Sequence, residues 1–524
     1  MTPDRTLRSL TERTIRGVGF RLVGNLLQAV LSILLGVILA RLLPPEEFGL
    51  FGLAVAIVTI TEMIGTCGVS RALVYKQDLS PEHEAAGAAF QLIGSVVMSS
   101  LLVLSSSVAE WFFDVEGLAP IIALQAVVLV THSIALLPTN RLTRRLAFDR
   151  LTIIETSTHL LRGISTIVFA LHGMGALALV YGSIVSGLSR TILLWCCAPG
   201  RVPLAFRMQH LRDLLQYGVG FLGIDVANLC TQQIDILIIG QQLGSGAVGL
   251  YQRAFQLVLL PLRQITSATH KVLFPAMSSI QNEGQRFQRG YLGALSLSAL
   301  VAFPILTLIW TTADLIIPLV YGSMWTGAIP ILQILALSGY FRIVYNTHGL
   351  VIQSRGRGTS EARCQGIYLG LIILFAYVGS AAGIVGTAVG VSMACLLFFV
   401  LMTRLALSVT GVSLSRLLLA LKTGIIGSIL LGVSVIVLKT VLAKSIPIGL
   451  LWMVSCSFGL LVYVASLRLF LTIEEQQFLE RMSMMLPIRF RSLLRLFIGS
   501  RPSRLRIGPL LLLLYSKVTS KHPA

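Results

Sequence analysis

Long apolar runs joined by short polar segments set the pattern of this chain. Fourteen such runs fall at roughly 17–43, 48–70, 87–113, 118–139, 151–171, 175–197, 217–243, 247–280, 291–320, 326–353, 360–379, 383–408, 418–439 and 448–470. Each is long enough to cross a hydrocarbon core of about 30 Å as a helix. Polar residues inside the runs recur three or four positions apart, the spacing of one helical face. The pattern predicts an all-α polytopic membrane protein. Composition agrees: of 524 residues, 55% are hydrophobic and 12% are charged, against about 25% charged in soluble proteins. The mean hydropathy is +0.84.

One joint returns half a chain later. The stretch RLLPPEEFGLF, Arg41 to Phe51, closes the first run and opens the second, and Gly240 to Tyr251 reads GQQLGSGAVGLY. Leu43, Gly49, Leu50 and Phe51 fall opposite Leu243, Gly249, Leu250 and Tyr251, an offset of 200 residues. A second pair, GMGALALV from Gly173 and GIVGTAVG from Gly383, is offset by 210. Six spans per half bring both copies into the membrane from the same side. The expectation is two six-helix lobes, a parallel pseudo-repeat around a central cavity, with two extra C-terminal helices. The divisions are a basic N-terminus (1–16), an N-lobe (17–197), an inter-lobe linker (198–216), a C-lobe (217–408), the two added spans (409–471) and a basic tail (472–524).

Charge orients the molecule. Arg and Lys crowd alternate joints, including Arg141, Arg144, Arg145 and Arg150, then Arg355, Arg357 and Arg363, while the joint at Glu110, Asp114 and Glu116 on the other side is acidic. By the positive-inside rule the basic joints and both termini are expected in the cytoplasm, in a multi-pass protein of the inner (plasma) membrane. The same rule accounts for the formal charge of +19 without nucleic acid. The first sixteen residues show no cleavage-site pattern, so the first span is expected to be a retained anchor. The seven cysteines fit neither a disulfide framework nor a zinc site and are expected to be small buried hydrophobes. In the tail, residues 485–498 interleave Arg with Leu, Ile and Phe, which fits a helix on an anionic leaflet or a disordered basic segment.

Polar residues at depth mark candidate chemistry, because an Arg at a helix centre costs at least about 2.5 kcal/mol. Arg21, Asn25, Gln28 and Ser32 share one face of the first span, and Asp225, Asn228, Gln232 and Asp235 share one face of the seventh. The 200-residue offset pairs Asn25 with Asp225, Gln28 with Asn228 and Ser32 with Gln232. Glu155, His159 and Arg162 line the fifth span, with Arg162 about 16 Å below the helix start. Arg253, Gln256, Arg263 and Ser267 line the eighth, Arg342, Asn346 and Gln353 the tenth, and Arg190 lies in the sixth. Two uses stay open for each stripe: a cavity wall, or interhelical packing. Each Arg has two as well, a salt bridge with Glu62, Glu155, Asp225 or Asp235, or contact with a ligand. Together the arginines point to a cationic aqueous chamber and an anionic cargo, since guanidinium forks match phosphate and carboxylate oxygens. Glu62, Glu155, His159, Asp225 and Asp235 are candidates for proton or sodium coupling, with simple charge pairing the alternative. No zincin pair, phosphate-binding loop or dinucleotide fingerprint is present, so neither catalytic residues nor a metal or cofactor is expected, and the protein is not read as an enzyme.

Four passages carry a family likeness: ARLLPPEEFGLF (40–51), GVSRALVYKQDL (68–79), NRLTRRLAFDRLTIIE (140–155) and GLYQRAFQLVLLPL (249–262). Residues 17 to about 420 resemble the polysaccharide transporter family of bacterial oligosaccharide flippases, in the superfamily that also holds multidrug extruders and the lipid II flippase. The resemblance implies two lobes in a V around a cavity open alternately to either side. It implies a cargo of oligosaccharide repeat units on a polyprenyl diphosphate, moved to the outer leaflet for surface polysaccharide synthesis. Implied partners are membrane lipids and the polymerase and glycosyltransferases that make and use that cargo. The alternative is a multidrug and toxin extruder exchanging cations, which wants acids where the first span begins with Arg21. A polymerase would carry a large outer loop, and no outward joint here exceeds roughly a dozen residues.

Overall fold

The computed structural model describes residues 24–66 (except 26), 80–198 and 208–471, with 69, 73, 475 and 476. Among these residues every regular element is helical. They are α1 (Leu27–Leu42), α2 (Pro45–Thr66), α3 (Pro81–Phe113), α4 (Leu118–Arg144), α5 (Phe148–Leu171) and α6 (Ala176–Cys197). A run from Met208 to Ser279 breaks at Gly244, where φ is 79°, into α7 (208–243) and α8 (245–279). There follow α9 (Gly284–Thr311), the short α10 (Ala313–Val320), a 3-10 turn (Ser323–Trp325), α11 (Ala328–Ser354), α12 (Gly358–Ser380), α13 (Gly383–Thr410), α14 (Leu414–Leu442) and α15 (Ile448–Phe470).

Ten of these helices are long and apolar enough to cross a membrane. The remainder, short α10 aside, are α1, α5, α7 and α8, the helices that hold most of the polar stripes. The ninth run does not continue to residue 320. Thr311 and Thr312 turn their hydroxyls back onto the carbonyls of Thr307 and Leu308, and such back-bonding bends a helix. The chain restarts as α10 behind Asp314. The expected linker is also shorter, because helix begins at Met208. Its first turns pack Leu214 against Val69 and Leu73, with His210 beside His83 at 4.5 Å between ring centroids.

Local chemistry explains the ends. Ser80 and His83 cap α3 reciprocally, with Pro81 in the first turn. Glu110 accepts from the backbone N–H of Gly117 and Ala119 at the start of α4, and Glu47 does the same for Ala176 at the start of α6. Acids of these joints thus satisfy helix N-termini, where the partial positive charge favours them.

The repeat is visible in the backbone. Gly173 and Gly383, 210 residues apart, both take positive φ (76° and 73°) in the turns before α6 and α13. Leu146 and Gly356, also 210 apart, do so before α5 and α12. In the N-lobe α3 packs on α4 and α5 on α6; in the C-lobe α12 packs on α13, and α11 on α8, α9 and α13. Gly379, Gly386 and Gly390 let the α12 and α13 backbones touch, as a methyl on any of them would overlap a facing carbonyl. The added pair α14–α15 lies along α9, where Gly424 meets Ala299 and Gly432 meets Thr307.

The lobes meet through the recurring joint itself. A methyl on Gly49 would overlap the Ser245 carbonyl, and one on Gly249 would overlap the Pro45 carbonyl. Residue 49 therefore faces 245, and 45 faces 249. The same crossing puts Gly52 against Gln252 and Gly246 against Glu46. This is an isologous seam within one chain, the contact a two-fold axis produces. Leu39, Leu43, Ile236, Ile239 and Tyr251 bury around it in one continuous core. Six cysteines are described; Cys364 and Cys395 are buried as expected, but Cys196 is exposed and the rest are half-buried. Cys196 sits on an exposed flank of α6, a surface that an apolar residue can occupy if the helix lies in lipid, so a small apolar residue need not be buried.

Candidate central cavity

Beside the seam lies a cavity of about 270 Å³, walled by α1, α2, α5, α6 and α8. Its size is near the lower end for ligand sites, roughly 300–1,000 Å³, enough for a head group rather than a whole oligosaccharide. Polar lining comes from Ser32, His159, Arg162, Thr166, Gln252, Arg253 and Gln256, and apolar lining from Leu35, Phe48, Phe51 and Leu179. Among the described residues no Asp or Glu lines it.

The α5 stripe delivers His159 and Arg162. Gly163, one residue on, lets Leu35 of α1 approach closely. Ser32 Oγ lies 2.9 Å from His159 Nε2, and Gln28 donates to Thr156 Oγ1 at 3.1 Å, so the polar face of α1 is partly used to fix α5. Arg253 enters from the other lobe. Its guanidinium stacks 3.9 Å above the Phe48 ring, donates to Gln256 Oε1 at 3.1 Å and is hydrogen-bonded to Tyr321. A cation over an aromatic ring away from water gains about 2 kcal/mol. Arg162 is within electrostatic reach of Arg253 as a like charge. Two guanidiniums with no carboxylate among the described lining residues have the chemistry to take an anion: like charges held close in a low-dielectric chamber are relieved by a bound anion.

Other expected residues go elsewhere. Asp235, 3% exposed, accepts from the Tyr251 hydroxyl at 2.8 Å and the Ile236 N–H at 2.9 Å, sealed inside the C-lobe. Arg342 lies 5.0 Å from the Phe255 ring, with Tyr251, Tyr345 and Tyr368 about it. Asn346 donates to Thr266 at 3.4 Å. Glu62 pairs with His132 at 3.3 Å, in a separate pocket of about 40 Å³ with Gln91, Ser95 and Ser133. Asn25, Glu155 and Arg190 are half-buried, and Gln232 and Arg263 exposed; none of them lines the cavity. Arg21 and the side chains of Asp225 and Asn228 lie outside the described residues.

Sequence reasoning missed Phe48, Gln252 and Tyr321. The signal lay where the two copies differ: Phe48 stands opposite Val248, Gln252 opposite Gly52 and Arg253 opposite Leu53. Gly49 and Gly249, alike in both copies, centre the seam, whereas Phe48, Gln252 and Arg253 of the cavity stand where the copies differ.

Comparison with known proteins places this geometry. A family profile described as "Polysaccharide biosynthesis protein" matches residues 38–330, more than half of the chain. The chain belongs to that family. The match includes the seam and both cavity arginines. Among relatives, the chain is 25% identical over 352 residues to the teichuronic acid biosynthesis protein TuaB of Bacillus subtilis (strain 168), covering 67% of this chain and 73% of that one. It is 25% identical over 389 residues to the lipopolysaccharide biosynthesis protein WzxC of Escherichia coli (strain K12), covering 73% and 78%. Among solved structures, the lipid II flippase MurJ in an inward closed conformation superposes with a TM-score of 0.70 at 14% identity, covering 86% of this chain and 98% of that one. That likeness is one of fold.

Proposed function

We propose that this family member is an alternating-access flippase. It carries oligosaccharide repeat units on a polyprenyl diphosphate from the cytoplasmic to the outer leaflet of the inner membrane, for surface polysaccharide synthesis. The observation that carries this reading is the pair Arg162 and Arg253, one from each lobe, in a shared cavity whose described lining holds no acid. A diphosphate there is gripped by both lobes at once, which is what a carrier that moves its lobes around a fixed site requires. The relatives named for teichuronic acid and lipopolysaccharide biosynthesis fit a cargo of this class. The protein performs transport, not bond chemistry.

The basic joints assign the orientation: the α4–α5 and α11–α12 turns and both termini face the cytoplasm, and the seam faces outward. With the seam shut, the described state is closed to the outside. Residues 17–197 and 217–408 act as the moving lobes, with 409–471 as an appendage and 472–524 as a basic tail. Glu62 with His132 is the coupling candidate that retains access to a pocket, whereas Asp235 is held as structure. A multidrug cation exchanger is disfavoured by two guanidiniums where the cargo would sit. The polymerase and glycosyltransferases of the same glycan are the expected partners.

Deleting the gene should leave a lipid-linked glycan on the inner leaflet, and the wild-type copy should clear it. Arg162→Ala and Arg253→Ala should insert normally yet fail to restore export. Full export by both variants would overturn the reading.

A further inference from the structure

Arg253 belongs to the cavity and to the closure at once. Its guanidinium lines the chamber with Arg162 and stacks on Phe48, which is 5% exposed. Phe48 stands edge-on to Trp325, ring centroids 5.5 Å apart. Trp325 is fully buried and donates its indole N–H to the Ala40 carbonyl at 2.8 Å. Arg253 and Trp325 come from the C-lobe, Phe48 and Ala40 from the N-lobe. Every contact in the series therefore crosses between lobes, and Gly49, the centre of the seam, follows Phe48 directly.

We propose that this series is a latch: an anionic head group in the cavity draws Arg253 off Phe48 and so releases the seam. The inference rests on the reading of the cavity as a diphosphate site. Without an anion, the like charge of Arg162 drives Arg253 away from itself and onto the ring. An anion between the two guanidiniums reverses the sign of that force, and a guanidinium aimed at phosphate oxygens can no longer lie flat on Phe48. A ligand shifts a two-state equilibrium only by binding one state better; here the closed state withholds one of the two arginines. Loading from the cytoplasm thereby loosens the outer closure, and an empty carrier stays shut. Phe48 is a positioning residue acting through Arg253. The repeat gives this device no twin, since residues 248 and 53 are Val and Leu.

The test uses the full chain, cysteine-free, in nanodiscs, spin-labelled at positions 42 and 324. Leu42 and Met324 are exposed, at the seam end of α1 and in the turn before Trp325. The probe is farnesyl diphosphate, its affinity measured in parallel by calorimetry. In the wild-type sequence the probe should bind and lengthen the 42–324 distance. Phe48→Leu should show the long distance without probe and bind it about three- to tenfold more tightly, the closed-state penalty being gone. Phe48→Tyr should restore wild-type behaviour. Arg253→Met should be long without probe and should not bind. If Phe48→Leu binds and responds like wild type, or Arg253→Met stays short, the latch is wrong while the cavity reading stands. If wild type does not bind the probe, the reading beneath it fails. Should Phe48→Leu not insert, Arg253→Met decides.

Discussion

The two lobes use deep arginines in opposite ways. In the N-lobe, Arg162 stands in a chamber with His159 and no acid among the described lining residues. In the C-lobe, Arg342 is enclosed by Phe255, Tyr251, Tyr345 and Tyr368, with Asp235 held nearby through Tyr251. Both lie on polar stripes of the same helical spacing. The difference comes from the neighbours: aromatic rings close one stripe into the core, while the gap between lobes leaves the other lining a cavity. Arg253, also of the C-lobe, joins that cavity because it reaches across the divide to Phe48. The repeated fold thus keeps a symmetric pair, Gly49 and Gly249, where the lobes meet and breaks the symmetry at Phe48 and Arg253 of the cavity.

The largest break of this comparison comes from exchanging the two kinds of arginine. Arg162→Ala should slow export by 30-fold or more, as loss of a desolvated charge contact costs about 2–5 kcal/mol, with little change in thermal stability. Arg342→Ala should do the reverse, lowering the melting temperature of the detergent-solubilised protein while any folded fraction exports. Equal effects of both on export, at unchanged stability, would erase the contrast.

The seam offers the next test. Gly49→Val forces a side chain into the Ser245 carbonyl and should favour the outward-open state by about 1–3 kcal/mol, the scale of overpacking. Gly249→Val, which meets Pro45, should match it within about 1 kcal/mol. Labelling of an introduced cysteine in the cavity by an impermeant reagent reads both. A strong effect from one glycine alone would mean that the contact is not symmetric.

Smaller is Asp235→Asn, which keeps an acceptor for the Tyr251 hydroxyl but loses the charge near Arg342. It should cost about 1–3 kcal/mol of stability and leave export per folded molecule intact; selective loss of export would return Asp235 to the list of coupling residues. Smallest is Lys439→Ala. The Lys439–Asp314 pair, 2.8 Å apart and partly exposed, should contribute at most about 1 kcal/mol, seen as a shift of a few degrees or less in melting.

Much of the architecture was legible because a bilayer imposes a blunt rule on length and polarity. Among the described residues each of the fourteen runs holds a helix, ten of these helices are long and apolar enough to cross a membrane, and the recurring joint became the interface between lobes. Periodicity failed where local hydrogen bonding competes with it, at Thr311 and Thr312, and where an amphipathic start, 208–216, reads as linker by composition. The lining of the cavity was half legible. His159, Arg162 and Arg253 were found because spacing identifies a face, but spacing is silent on what that face meets, so Asp235 and Arg342 shared the list with them. Phe48 escaped because an aromatic in an apolar run carries no signal until the arginine above it is seen.

The central claim is that guanidinium groups of opposite lobes hold one anion. A double-mutant cycle measures it directly: calorimetric affinity of farnesyl diphosphate for the wild-type sequence, Arg162→Gln, Arg253→Gln and the double variant in nanodiscs. Each single change should weaken binding about 30-fold or more, and the double should fall short of the product of the singles by more than about 1 kcal/mol, the mark of residues sharing a partner. An affinity in the double variant equal to that of the wild-type sequence would contradict the account.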